Sequence, residues 1–191
     1  MPTRAPAPTI SGSRVYLRPP RRGDAAAFVT ASLRSRREHG RWTSAPATRE
    51  RFVALVDRFA GATAPATHAS FIMLTREDDA IAGVFNFSEI VRGALRSAYL
   101  GYYGFSPFIG HGFMHEGMAL ALDVAFRHLK LHRVEVNIQP TNIRSVALAV
   151  RIGFTQEGFS RRYVKIGGRW RDHLRFAMLA EDWRVLRKQR A

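Results

Sequence analysis

The strongest pattern in the chain covers residues 100–129, where an apolar, aromatic stretch leads into closely spaced glycines and then into a helical repeat. Beyond the glycines, apolar residues recur every three or four positions, at Met114, Met118, Leu122, Ala125 and Leu129. This spacing predicts an amphipathic helix that packs one side on a sheet. Gly110 and Gly112 leave the backbone open to a ligand at the start of that helix, where free amides and the helix dipole favour an anion. The pattern predicts a buried strand, a phosphate-binding turn and a helix, although the same glycines also suit a plain tight turn.

A second strand and helix follow at once. Residues 134–138 alternate in polarity and predict a strand. The turn Pro140-Thr141-Asn142 then offers Asn142 as the N-cap of a short helix over residues 143–152, which Gly153 ends.

The remaining segments complete an α/β arrangement. Helices are predicted over residues 25–33 and 49–60, separated by a charged loop at 34–42. Further strands are predicted over residues 14–18, 69–75, 81–87, 97–105, 162–166 and 172–179, the last two as a hairpin around Gly167-Gly168.

Composition favours one soluble domain. The chain has 191 residues, of which 46% are apolar, so residues 13–183 are expected to form a single domain between a disordered leader (1–12) and a basic tail (184–191) that frays. The absence of cysteine excludes disulfides, thiolate metal ligands and a cysteine nucleophile. No apolar run approaches the roughly 20 residues of a membrane span, and the N-terminal residues lack the apolar segment of a secretion signal. We expect a cytoplasmic protein, either a monomer or a homodimer.

Several of these segments resemble the Gcn5-related N-acetyltransferases, the GNAT superfamily. The matching segments are GVFNFS at residues 83–88, YLGY at 99–102, GHG at 110–112, PTNIRS at 140–145, RIGF at 151–154 and GRWRDH at 168–173. They are most similar to the Rim-type subgroup, which acetylates the N-terminal residue of ribosomal proteins, and within it to enzymes that act on alanine. The resemblance implies an α/β GNAT fold with a mixed central sheet of six to seven strands and about four flanking helices. It also implies a V-shaped opening between strands 4 and 5 that binds acetyl-CoA, with no metal.

The resemblance places coenzyme-binding residues in three segments. They are Leu100, Gly101 and Tyr102 on the strand, Ile109, Gly110, His111, Gly112, Phe113 and Met114 at the glycine turn, and Asn142, Arg144 and Ser145 on the second helix. One departure is Pro107, which stands where the superfamily commonly has Gln or Arg and which lacks an amide hydrogen. The phosphate site is therefore expected to use the backbone of residues 110–114, with His111 as an additional donor.

Catalytic roles are expected for Ser145, Glu135, Asn137 and Tyr102. By resemblance, Asn142 would bind the pantetheine arm and Ser145 would protonate the departing thiolate. An α-amine, with a pKa near 8, costs about 1.4 kcal/mol to deprotonate at neutral pH, against about 4.6 kcal/mol for a lysine side chain with a pKa of about 10.4. Water relayed by Glu135, Asn137 or Tyr102 is then a sufficient base. Structural roles also fit: Asn142 as an ordinary N-cap, Ser145 as a small first-turn residue, and Glu135 as part of a surface ion pair.

The charge balance adds a partner hypothesis. The chain carries 30 Lys and Arg against 15 Asp and Glu, a formal net charge of +15. This field favours anionic partners such as rRNA, a ribosomal particle or acidic peptides, unless arginine serves only as a solubilising residue. The expected function is direct transfer of an acetyl group from acetyl-CoA to a protein N-terminus. Two alternatives stay open: acetylation of a small amine such as an antibiotic or polyamine, and a non-catalytic RNA- or ribosome-binding module with the same fold.

Overall fold

In a computed structural model, which describes residues 9–60 and 67–189, eight strands form one sheet. They are β1 (Ile10–Ser11), β2 (Val15–Arg18), β3 (Ala69–Thr75), β4 (Ile81–Val91), β5 (Ser97–Gly104), β6 (Arg133–Ile138), β7 (Thr155–Ile166) and β8 (Arg169–Leu179). The strands lie in the order β1-β2-β3-β4-β5-β6-β8-β7, and every neighbouring pair is antiparallel except β5 and β6, which are parallel. The mixed α/β sheet that we predict is confirmed, with one more strand than expected.

Six α-helices accompany the sheet within the same described residues. They are α1 (Ala25–Arg34), α2 (Arg36–His39), α3 (Arg49–Ala60), α4 (Phe113–Asp123), α5 (Ile143–Ile152) and α6 (Ala180–Lys188). A π-helical turn, Val124–His128, continues α4, and the chain then returns into β6. The four predicted helices are present, and α2 and α6 are additional.

The helices lie on both faces of the sheet. Successive residues of a strand point to opposite faces, so Ile72 and Met73 of β3 belong to different clusters. Ile72 shares a buried cluster with Phe28 of α1 and Phe52 of α3. Met73 belongs with Met118 of α4 and with the buried residues of α5. The helices α1 and α3 therefore cover one face, while α4 and α5 cover the other.

An opening lies between β5 and β6. The two strands are paired only in the register Ser97↔Arg133, Ala98↔Val134 and Tyr99↔Glu135. Past Tyr99, β5 continues along β4 alone and β6 continues along β8 alone, so their facing edges separate. This is the predicted V-shaped opening; because the sheet has an extra first strand, its fourth and fifth predicted strands are β5 and β6.

The structure differs from the predicted boundaries at both ends of the domain. Ile10 and Ser11, assigned to the leader, pair with β2, because Ile10 packs against the core; residues 1–8 lie outside the described residues. The predicted fraying tail is instead helical as far as Lys188, and residues 190–191 lie outside the described residues. Trp183 anchors α6, since it is only 3% exposed and its Nε1 donates to Asp123 at 3.0 Å. The many charges on the outer face of α6 conceal this apolar side in the sequence.

Candidate active site

Two glycines shape the turn between β5 and α4. Gly110 and Gly112 have φ angles of 90° and 81°, left-handed values that side chains disfavour, and Gly112 is the N-cap of α4. The first amides of a helix have no intrahelical acceptor, and the helix dipole favours an anion there. The amides of His115 and Glu116 return to the Gly112 carbonyl at 3.2 and 3.3 Å, which closes the first turn. The backbone at this point suits a diphosphate.

An ion pair between Arg14 and Glu116 stabilises the glycine turn from the side of β2. Glu116 in α4 accepts from the Arg14 amide at 2.8 Å and from the Arg14 Nε at 3.2 Å. Burial raises the pKa of Glu116, but the hydrogen bonds from Ser13, Arg14 and Val15 outweigh burial and lower it. Arg14 also donates from Nη1 to the His111 carbonyl at 3.1 Å and lies 4.7 Å over the ring of Phe113. Arg14 therefore holds a carbonyl of the turn, which leaves the amides for a ligand.

The predicted coenzyme residues divide by exposure. Leu100 is buried in the core at 3% exposure. The Met114 side chain packs where Gly83 and Gly104 lack side chains, since a Cβ on either would come within 2.8 or 3.1 Å of its sulfur. Leu100 therefore offers only backbone to a ligand, while the half-buried Met114 directs its side chain towards the two sheet glycines. The other predicted positions are exposed or half-buried: Gly101, Tyr102, Ile109, Gly110, His111, Gly112, Phe113, Asn142, Arg144 and Ser145.

Tyr102 and Ser145 form one polar pair on the α5 side of the sheet. Ser145 Oγ donates to the Tyr102 hydroxyl at 2.7 Å, and that hydroxyl donates to the Ser145 carbonyl at 3.2 Å. Burial raises the pKa of Tyr102 to about 12, although the bond with Ser145 opposes this. Asn142 caps α5 by accepting from the Ser145 amide at 3.3 Å. The cap fixes Ser145, and Ser145 in turn orients the phenol.

Glu135 and Asn137 lie on the opposite face of the sheet. They alternate along β6 with buried valines that face α4 and α5, so both point towards α1 and α3. Glu135 accepts from Arg133 Nε at 2.8 Å and from Arg175 Nη2 at 3.2 Å, so two guanidinium groups fix the position of its carboxylate. Asn137 Oδ1 is buried and has no hydrogen-bond partner among the described residues. The predicted catalytic residues thus form two groups, one on each face, rather than one cluster.

Two tyrosines extend the second group. Tyr163 of β7 donates from its hydroxyl to the Tyr99 hydroxyl at 3.3 Å. This hydrogen bond and burial raise the pKa of Tyr163 to about 12. Tyr99 stands opposite Glu135 in the last paired register, so both tyrosines lie at the point where β5 and β6 separate. Sequence reasoning missed this pair, because the register between strands brings together residues that are 64 positions apart.

A family model described as an acetyltransferase (GNAT) domain matches residues 14–155. The chain belongs to the GNAT family. Curated relatives include the probable N-acetyltransferase YjcK of Bacillus subtilis (strain 168), 40% identical over 112 residues, and the ribosomal protein uS5-alanine N-acetyltransferase of Escherichia coli (strain K12), 38% identical over 113 residues. Both alignments cover 59% of this chain, and they span only 62% and 58% of the two relatives. Mycobacterium smegmatis RimJ, solved in complex with CoA-disulfide, is 28% identical with a TM-score of 0.85, and the match covers 92% of this chain and 89% of RimJ.

The family model confirms the predicted GNAT superfamily, and the relatives show that the chain is similar to Rim-type enzymes. The roles of the individual site residues stay predictions. Among the described residues, no group of three or more His, Asp or Glu side chains is placed to hold a metal ion. Within the same residues, no helix combines the length and the apolarity that a bilayer crossing requires.

One part of this GNAT site lies in the segment predicted as a charged loop. Helix α2 forms there because its two inward residues are buried and hydrogen-bonded at the end of β5. Ser35 Oγ accepts from the Ser106 amide at 2.8 Å, and His39 Nε2 lies 2.7 Å from the Gly104 carbonyl. The chain then reaches the end of β6, where Gln139 Nε2 donates to the Arg41 carbonyl at 3.3 Å. Residues 35–41 therefore cross the opening on the α1 and α3 side. The sequence does contain one indication of this helix: Ser35 and His39 are four residues apart, one helical turn, within an otherwise charged stretch.

Proposed function

We propose that this GNAT domain transfers an acetyl group from acetyl-CoA to the α-amine of a protein N-terminus. The observation that carries the proposal is the opening between β5 and β6. The hydrogen-bonded hydroxyls of Tyr102 and Ser145 lie on one face of the sheet beside it, and Glu135 and Asn137 lie on the other. The similarity to an Escherichia coli enzyme named for the alanine of ribosomal protein uS5 supports the choice of acceptor.

The donor side is formed by the glycine turn and α5. We assign the diphosphate to the backbone of residues 110–114 and the pantetheine arm to the separated edge of β5 beside Asn142. Tyr102 and Ser145 then lie where the sulfur leaves. A phenol with a pKa of about 12 keeps its proton at neutral pH, so Tyr102 can give it to the thiolate while Ser145 orients the hydroxyl.

The acceptor side receives the amine between β6 and α2. The neutral nitrogen attacks the acetyl carbonyl, the carbon–sulfur bond breaks, and the nitrogen loses one proton as the sulfur gains one. Asn137 Oδ1 is buried and has no hydrogen-bond partner among the described residues, so we propose that it accepts an N–H of the amine once the acceptor displaces the groups that cover it. Glu135 is already bound to Arg133 and Arg175, so we propose that it acts through water rather than by direct contact. An α-amine suits this arrangement, because it needs less help to deprotonate than a lysine side chain does.

An acceptor panel with intact-mass detection tests the proposal. It contains a peptide that begins with alanine, the same peptide with a blocked N-terminus and an internal lysine, and spermidine. We expect a single mass increase of one acetyl group, on the free α-amine only. Acetylation of spermidine alone would make the protein a small-amine acetyltransferase. Binding of RNA without turnover or acetyl-CoA heat in calorimetry would make it a non-catalytic module.

The net positive charge of the enzyme affects where it can bind a ribosomal acceptor protein. A free enzyme of net charge +15 repels a basic protein, so we propose that it reaches a ribosomal substrate on rRNA or on an assembling particle in the cytoplasm. Turnover of free peptide and of ribosomal particles, compared across a salt series, tests this. The particle rate should fall with salt, and equal, salt-independent rates would contradict it.

A further inference from the structure

A basic cleft adjoins the acceptor side of the opening. It has a volume of about 820 Å³ and is lined by residues of α1, α2 and the segment after β5, namely Leu33, Arg34, Arg36, Arg37, Glu38, Gly40 and Ser106. Ser106 follows closely on Gly104, the last residue of β5. The cleft therefore lies next to the end of β5 that borders the opening.

The arginines of this cleft have no acidic partner among the described residues. Near the opening and the glycine turn, by contrast, Arg14 is paired with Glu116 and Arg133 with Glu135. In the cleft, the one carboxylate is Glu38, and it accepts from Ser106 Oγ at 3.1 Å. Arg34, Arg36 and Arg37 are exposed and carry no ion pair in residues 9–60 and 67–189.

The short helix α2 fixes the backbone of Arg36 and Arg37. Ser35 and His39 are buried, and both are hydrogen-bonded to the end of β5. Because Arg36 and Arg37 lie between these two anchors, their backbone is fixed relative to the opening. Guanidinium groups that line one cleft favour carboxylates, which each of them can bind in a bidentate manner.

We propose that this cleft binds acidic side chains that follow the N-terminal residue of the acceptor polypeptide. The inference rests on the proposed function and adds a specificity to it. It explains how an enzyme with a large positive charge can select one N-terminus, since an acidic segment a few residues long reaches the cleft at about 3.3 Å per extended residue. It also argues against a cationic small amine as the acceptor, because the positively charged arginines of the cleft would repel that amine.

Two peptides test the cleft. Both begin with alanine and have equal length, but one carries Glu and the other Gln at positions three to five. With wild-type enzyme at low salt, kcat/KM should be roughly five- to tenfold higher for the Glu peptide, mainly through KM, and the ratio should fall as salt rises. In the double variant Arg36→Gln, Arg37→Gln, the ratio should drop to between one and two.

A second double variant supplies the matched control. Arg184→Gln with Lys188→Gln removes the same charge from exposed positions of α6, a helix that packs on the α4 side, and it should keep the wild-type ratio. Thermal unfolding of each variant shows that the fold is retained.

The outcomes separate the two levels of inference. Equal rates for the two peptides, or a ratio that survives in the Arg36→Gln, Arg37→Gln variant, would overturn the cleft and leave the proposed function standing. Two other results for the Arg36→Gln, Arg37→Gln variant count against the cleft: a change only in the KM for acetyl-CoA, or a loss of single-stranded RNA binding while the Glu-to-Gln peptide ratio stays at the wild-type value. Either result would assign the arginines to another ligand and would also overturn the proposed acidic-peptide site. If wild-type enzyme acetylates neither peptide, the proposed function itself fails, and this inference fails with it.

Discussion

The hydrogen-bonded pair of Tyr102 and Ser145 makes a prediction about the leaving group. Its two hydroxyls are not equivalent, because Ser145 donates to the phenol oxygen while the phenol keeps its own proton for the Ser145 carbonyl or for a sulfur. Tyr102→Phe removes the proton donor. Ser145→Ala removes only the group that orients it. The two substitutions should therefore differ in size and should not add.

The magnitudes follow from these roles. Loss of a positioned general acid typically costs 10²- to 10⁴-fold, so Tyr102→Phe should lower kcat by at least about 100-fold. Ser145→Ala removes one neutral hydrogen bond of 2.7 Å, worth about 1 kcal/mol, which corresponds to roughly fivefold. The double variant should match Tyr102→Phe alone, because Ser145 has no phenol left to orient.

The assay is release of free CoA thiol with saturating acetyl-CoA and an alanine peptide, followed for the wild type and the three variants. Tyr16→Phe is the matched control, since it removes a phenol whose hydroxyl bonds Asp79 at 2.8 Å on an outer strand, and it should leave kcat unchanged. If Ser145→Ala costs as much as Tyr102→Phe, serine is the donor. If all three variants keep wild-type kcat, neither hydroxyl protonates the sulfur and the reasoning is refuted.

Three further predictions concern the turn, its ion pair and the acceptor. Gly112→Ala should raise the KM for acetyl-CoA more than Gly110→Ala does. Both glycines have left-handed φ values, but only a Cβ at position 112 would lie 3.2 Å from the Arg14 guanidinium. Equal effects of the two substitutions would contradict this. Glu116→Gln should lower the free energy of unfolding by about 2 kcal/mol in urea titrations, with exposed Glu77→Gln as control. Burial raises the pKa of Glu116 but hydrogen bonds lower it below its ordinary 4.5, so this stabilisation is present above pH 4.5 and should be lost as the pH falls further. Finally, kcat/KM for an alanine peptide should rise with pH and level off near pH 8, the pKa of the α-amine. With acceptor peptides whose amines have different pKa values, the midpoint of this rise should shift accordingly. A midpoint that stays constant would refute attack by the free amine.

The sequence predicts the central part of this fold because its signals are local. The helical repeat after Gly112 and the Asn142 cap each lie within a few residues, and both give the observed helices. The Gly167-Gly168 turn also appears as expected, with φ angles of 57° and 78° between β7 and β8. Local periodicity and turn chemistry decide such elements before tertiary packing does.

The parts that sequence reasoning missed depend on contacts between distant segments. Arg14 and Glu116 are 102 residues apart, and nothing in either local sequence marks them as partners. Helix α2 is only four residues long, and it is stabilised by the bonds of Ser35 and His39 to the end of β5 rather than by its own periodicity. The cleft with its arginines is therefore invisible in the sequence, where those residues read as a solvated loop.

The hydrogen-bonded pairing of the strands also determines where the acetyl transfer can take place. Past Tyr99, β5 stays paired with β4 as far as Gly104 and β6 stays paired with β8 as far as Ile138. Each strand is therefore held by its outer neighbour where the two separate. A sheet also isolates its faces, so Tyr102 and Glu135 cannot exchange a proton across it without a molecule bound in the gap. A reaction that takes a proton from a nitrogen on one face and gives a proton to a sulfur on the other is consistent with this division. Asp172 accepts from the Arg162 amide and His173 contacts the Arg171 carbonyl, so these two residues and Ser145 do not form a Ser-His-Asp hydrolase triad.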